Sequence, residues 1–244
     1  MPEVGSTNTE ALAWAADGAD EGAVVTTDHQ TAGRGRRGRT WFDAPGTSLL
    51  FSLILRPRIP FERLGLLPVA LGTAVADALD AACRIPARTK WPNDVTVDGR
   101  KIAGVLVETK LVGSRVDIAV AGVGLNYDWS GVEVPAAIGD AATSMGNELG
   151  GAPPSRAAML GEVLAAIEDL YPLVVREKDV YELLDRARSR SAVLGRRVGI
   201  RMAEGDLVSG VARDLTPDGA LQVEVDGALR AFHVGEIEQL RSDR

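Results

Sequence analysis

The chain of 244 residues carries 27 basic and 34 acidic side chains, a net charge of −7, with 45% apolar and 25% charged residues. That is an ordinary soluble composition with room for one large domain and a small one. It speaks against a dedicated nucleic-acid binder, which draws most of its affinity from a basic surplus. Two histidines and one cysteine, Cys83, exclude an intrachain disulfide and fall short of a structural zinc set.

The N-terminus "MPEVGSTNTE" has neither a basic nor an apolar leader segment, and apolar runs such as "SLLFSLIL" fall short of the ~20 residues that span a bilayer. A cytoplasmic protein is expected. Residues 6–17 read as a helix opened by a capping box, Thr7 to Glu10. Residues 22–30 read as a strand leading into "GRGRRGRTW" (33–41), and 47–57 as a buried strand ended by Pro57. Apolar residues at helical spacing from Phe61 to Cys83 predict a core helix, with Pro68 in its first turns. Residues 89–110 read as two strands folded at Asp98-Gly99, a dipeptide suited to a type I′ turn, and 115–126 as a third. Residues 127–142 read as a long loop, and helices follow at 155–176 and 180–190.

After Gly195 the pattern alternates with period two, cut by Glu204-Gly205, Asp218-Gly219 and Asp226-Gly227. That predicts a small antiparallel barrel. The expected fold is α+β: residues 1–192 form a mixed or antiparallel sheet with packed helices, and 193–244 a small SH3-like β-barrel.

The stretch "GRGRRGRTW" contains G-x-G-x-x-G, yet a turn and a strand follow it instead of the helix that a dinucleotide fold needs. No Walker A loop and no G-x-S-x-G elbow occurs. Glycines let a loop approach a ligand closely, and arginines offer forked donors to carboxylate and phosphate. Such a loop can hold two anions together while they react.

The segments "STN" (6–8), "QTAGRGRRGR" with Trp41, "KWPND" (90–94), "KIAGVLVE" (101–108) and "GVGLN" (122–126), in this order, closely resemble the biotin protein ligases. The resemblance implies ATP-dependent biotinylation of a lysine on a biotin carboxyl carrier protein, by way of biotinyl-5′-AMP. It implies biotin and ATP as substrates, with Mg²⁺ accompanying ATP. Lys101, Arg36 and Asp94 are then the catalytic residues. Ser6, Thr7, Asn8, Gln30, Arg34, Gly35, Arg36, Lys101 and Gly104 surround biotin. Arg36, Arg39, Trp41, Lys90, Asn93, Lys101 and Asn126 meet ATP. No side chain is assigned to a metal. Gly122 and Gly124 are expected to allow close approach, and the 127–142 loop to fold over the adenylate.

Five residues precede Ser6, too few for the helix-turn-helix of some family members, so no direct DNA binding is expected. A homodimer would follow if the strand at "RVDIAVAG" is an exposed edge. Three alternatives stand beside this reading. A lipoate or octanoate ligase shares the fold but gives no reason for the Arg loop. A biotin sensor without activity gives no reason for Lys101, Arg36 and Asp94 together. A nucleic-acid binder is disfavoured by charge.

Overall fold

A computed structural model describes residues 1–202 and 205–239. The first part runs β1 (Glu3–Val4), α1 (Thr7–Ala16), β2 (Val24–Thr27), β3 (His29–Gln30), β4 (Ser48–Leu55) and α2 (Leu66–Cys83). Then come β5 (Arg88–Lys90), β6 (Asp94–Val97), β7 (Arg100–Val112) and β8 (Arg115–Asn126). Helices α3 (Ala136–Gly139), α4 (Met145–Leu149), α5 (Arg156–Val175) and α6 (Val180–Arg190) precede β9 (Arg197–Arg201), β10 (Leu207–Leu215), β11 (Leu221–Val225), β12 (Ala228–Phe232) and β13 (Glu236–Gln239).

Six strands form one antiparallel sheet in the order β2-β4-β8-β7-β6-β5. Period-two alternation divides its residues between two faces. Leu49, Phe51, Leu53 and Leu55 of β4, with Ala119, Ala121, Val123 and Leu125 of β8, join the large core beneath α2, α5 and α6. Ile54, Ile118 and Val120 face the other way, onto Ala11 and Ala15 of α1. This explains why β4 is apolar at nearly every position: it is buried on both faces. Beyond the end of α1 the second face changes character to Leu50, Ser52, Gly104, Leu106, Gly122 and Gly124, and there the cleft opens.

The two-residue turn at Asp98-Gly99 has φ of 48° and 80°, as a type I′ hairpin requires. Residues 91–93 interrupt the first of the two strands expected in 89–110, so three strands stand there where two are predicted, and Trp91-Pro92 is cis. The capping box is not formed. Ser6 stands at the N-cap without a side-chain cap bond, and Gln30 Oε1 accepts from Thr7 N at 2.8 Å instead. β8 lies between β4 and β7 from Ala119 onward, so that part of "RVDIAVAG" is not a sheet edge; β2 and β5 are the outer strands.

The second unit is a five-stranded antiparallel sheet in the order β12-β11-β10-β9-β13. Asp226-Gly227 forms a second tight hairpin, with φ of 51° and 78°. The expected turn at Glu204-Gly205 involves Glu204, which lies outside the described residues. The core runs without a break across the expected boundary: Val198, Ile200, Leu215, Leu221 and Ile237 belong to the same cluster as α2. Trp91 Nε1 donates to Gly219 O at 3.1 Å, and a Cβ on Gly65 would lie 2.7 Å from Asp218 O, so backbones meet where the two units join. The 23-residue stretch Phe61–Cys83 is long and apolar enough to cross a membrane by length and composition. Its burial, 67% of the most apolar window, is that of a core helix.

Candidate active site

The cleft lies between the glycine-bearing floor of the sheet, the N-terminal turn of α1, the 33–41 loop and β13 of the second unit. Ser6, Thr7, Asn8, Gln30, Arg34 and Gly35 line one end. Arg36, Arg39, Trp41, Lys90, Asn93 and Asp94 line the other, with Lys101 and Gly104 on the floor. Asn126 is the exception among the expected residues. It is buried, does not line the cleft, and donates through Nδ2 to Lys101 O at 3.2 Å and Thr143 O at 2.8 Å. In this structure it supports the Lys101 backbone from below the cleft.

Lys101 faces the cleft because β7 carries an extra residue. Val95 pairs with Ala103 but Thr96 pairs with Lys101, which leaves Ile102 unpaired. Ile102 and Ala103 both enter the core under the helices, and Lys101 is turned to the face of Gly104. Bulges re-aim side chains in this way beside functional sites. Lys101 Nζ then lies 2.6 Å from Asp94 Oδ1 and 5.3 Å from the ring centre of Trp41.

The floor glycines make room for named side chains. A Cβ at Gly124 would lie 2.7 Å from Cε2 and Cζ2 of Trp41, and one at Gly104 2.9 Å from Lys101 Nζ. A Cβ at Gly122 would overlap Asn8 Oδ1. Trp41 Nε1 is buried without a hydrogen-bond partner, a donor aimed at nothing in the protein.

Arg36 Nη1 donates to Asn93 Oδ1 at 3.1 Å, while Asn93 Nδ2 donates to Val105 O at 2.8 Å. Burial, and after it the charge of Arg37, pull the pKa of Arg36 below its ordinary value, while Asp94 and Glu236 act against them. A guanidinium so placed stays charged and gains from an arriving anion. Arg39 makes a two-pronged pair with Glu236 of β13 at 2.5 Å for each bond, and that hydrogen bonding raises its pKa. At the opposite end, Thr7 Oγ1 donates to Gln30 Oε1 at 3.1 Å, and Ser52 Oγ lies 2.8 Å from Thr7 Oγ1 and 2.6 Å from Asn8 Oδ1.

None of residues 127–142 lines the cleft. That segment contains the short helix α3 and docks on β7 through Lys101 N to Ala141 O, 2.9 Å. Among the described residues no group of three or more His, Cys, Asp or Glu gathers as a metal site.

Comparison with known proteins gives the family. Residues 2–126 match the model of the Biotin/lipoate A/B protein ligase family, and 193–239 that of the Biotin protein ligase C terminal domain. A biotin--[acetyl-CoA-carboxylase] ligase of Mycobacterium tuberculosis is 35% identical over 99% of this chain and 88% of its own length. The chain belongs to the biotin protein ligase family. A solved biotin protein ligase from Aquifex aeolicus, in complex with biotin and ATP, superposes with a TM-score of 0.81 at 30% identity, covering 98% of this chain and 96% of that one. The bifunctional ligase/repressor BirA of Escherichia coli is 31% identical over 99% of this chain and 73% of its own. In this biotin protein ligase family member, sequence reasoning missed Ser52, Glu108 and Glu236. The last had no local signal, since it reaches Arg39 across 197 residues of chain.

Proposed function

We propose that this chain joins biotin to a lysine of a carboxylase carrier protein in two steps at one cleft. The supporting observation is the convergence of Lys101, Asp94, Arg36 and the arginine loop on a glycine floor, in a chain of this family.

In the first step an oxygen of biotin's carboxylate attacks the α-phosphorus of ATP, the bond from that phosphorus to the bridging oxygen breaks, and pyrophosphate leaves. Two anions must meet, so Lys101 and Arg36 neutralise the forming bond, and Lys90 and Arg39 the leaving phosphates. Mg²⁺ supplies further charge neutralisation as part of the nucleotide substrate. In the second step the carrier's lysine amine attacks the mixed anhydride, an amide forms and AMP leaves. Asp94 orients that lysine and takes up its proton, since an ammonium must become neutral to attack. Trp41 packs on the bound ligand. Ser6 and Gln30 Nε2 supply polar partners for the ureido ring, which needs both donors and acceptors. The same reading places the enzyme in the cytoplasm, without direct recognition of DNA.

The deciding experiment is exchange of labelled pyrophosphate into ATP. Exchange that requires biotin and ignores lipoate and octanoate supports the reading. Exchange with lipoate or octanoate moves the chain to the neighbouring activity, and tight biotin binding without exchange makes it a sensor.

A further inference from the structure

Strand β7 turns Gly104, Leu106 and Glu108 toward the site face, and the chemistry above uses no carboxylate at Glu108. Glu108 Oε2 accepts from Asn8 Nδ2 at 2.7 Å and from Arg34 Nη2 at 3.1 Å, while Oε1 accepts from Arg34 Nη2 at 3.2 Å. Arg34 Nη1 donates to Thr9 Oγ1 at 3.1 Å. One carboxylate therefore ties together the first turn of α1, the arginine loop and the sheet, which are distant in sequence.

The Asn8 amide is saturated by the protein. Its Oδ1 accepts from Ser52 Oγ at 2.6 Å, and Nδ2 donates to Leu106 O at 3.3 Å as well as to Glu108. Asn8 is 3% exposed, so removal of Glu108 would leave an N–H without a partner in a buried place. It would also release Arg34 into a loop that already holds Arg36, Arg37 and Arg39, where like charges repel.

The geometry points to Glu108 as a positioning residue for biotin, one that fixes Asn8 and Arg34 so that the ureido end of the cleft stands formed before the ligand arrives. This rests on the biotin-ligase reading above. Glu108 does not line the cleft itself, so it acts through the two residues that do.

The test compares the wild-type chain with Glu108→Gln, Glu108→Ala and Glu108→Asp, each first checked for a cooperative thermal transition. Biotin affinity is read by calorimetry, and KM for biotin and kcat by pyrophosphate exchange at saturating ATP. Loss of a charge-assisted acceptor predicts roughly ten- to a hundred-fold weaker biotin binding in Glu108→Gln and Glu108→Ala. KM for biotin rises in parallel, kcat at saturating biotin is retained, and Glu108→Asp recovers part of the affinity. Should Glu108→Ala fail to fold, the isosteric Gln variant decides. Wild-type biotin affinity in a folded Gln variant overturns the inference, as does a fall in kcat at unchanged KM, which would put Glu108 in the chemical step. A wild-type chain that binds no biotin at all sinks the ligase reading itself, which separates the two failures.

Discussion

Lys101 and Asp94 meet at 2.6 Å across neighbouring antiparallel strands, and they do so only because Ile102 is bulged out of the ladder between them. Lys101→Ala should lower biotin-dependent pyrophosphate exchange on the order of 10²- to 10³-fold, the scale of losing one positioned charge at a developing anion. Asp94→Asn leaves Lys101 charged, so exchange should survive better than transfer. Preformed biotinyl-adenylate mixed with carrier protein isolates the second step, and unchanged transfer there would remove the proton-acceptor role from Asp94.

The floor glycines are separable by experiment. Gly124→Ala pushes a methyl against the Trp41 ring, whereas Gly122→Ala pushes one against Asn8. Each should cost about 1–3 kcal/mol of stability as an overpacked site. Their effects on ligands should diverge: Gly124→Ala raises KM for ATP through Trp41, and Gly122→Ala raises KM for biotin through Asn8. Identical KM changes in both variants would show that the two ends of the cleft are not independent.

Arg39 and Glu236 form a direct side-chain link from the arginine loop to the second unit. The arginine side chain is 65% exposed, so the pair is open to screening and adds little to global stability, about 0–1 kcal/mol. Glu236→Gln should therefore leave the melting temperature nearly unchanged and speed the release of biotinyl-adenylate. Raised salt should speed release from the wild type and change the variant less. A variant with wild-type release kinetics would confine this pair to the surface.

Acid should loosen the contact between α6 and the second sheet. Burial acts to raise the pKa of Asp214, but its hydrogen bonds to Arg188 and to the Leu215 amide outweigh this and hold it below the ordinary 3.8. A depressed folded-state pKa contributes stability that is present above the unfolded value and lost as pH falls through the folded one. The wild-type melting temperature should thus drop as pH falls through and below the ordinary carboxylate range, and Asp214→Asn should flatten that drop while lowering stability at neutral pH. Parallel curves for the two proteins would exclude the Arg188 pair as a source of acid sensitivity.

Much of the fold is written in local pattern. The Phe61–Cys83 periodicity, the Asp98-Gly99 turn and the alternation after Gly195 each act through nearest neighbours, and each element stands where it is expected. Residues 91–93 show where local pattern fails: the first of the two strands expected in 89–110 is broken there by a turn whose reason is tertiary, the docking of Trp91 on Gly219. The site was legible as motifs, and all but Asn126 of the expected residues line the cleft. The sequence motif gives no sign of the two backbone carbonyls that the buried Asn126 amide meets. Glu236 was invisible for the opposite reason: nothing around it is unusual, and its partner is set by how the second sheet packs against the first.

The split of β4 and β8 into two faces has a practical corollary. Leu49, Phe51, Val123 and Leu125 answer to the helices, while Leu50, Ser52, Gly122 and Gly124 answer to whatever acid occupies the cleft. Packing under the helices and shaping of the cleft are thereby assigned to interleaved positions of the same strands. A library varied at the first set and another varied at the second could be selected separately and then recombined, residue by alternate residue, in one gene.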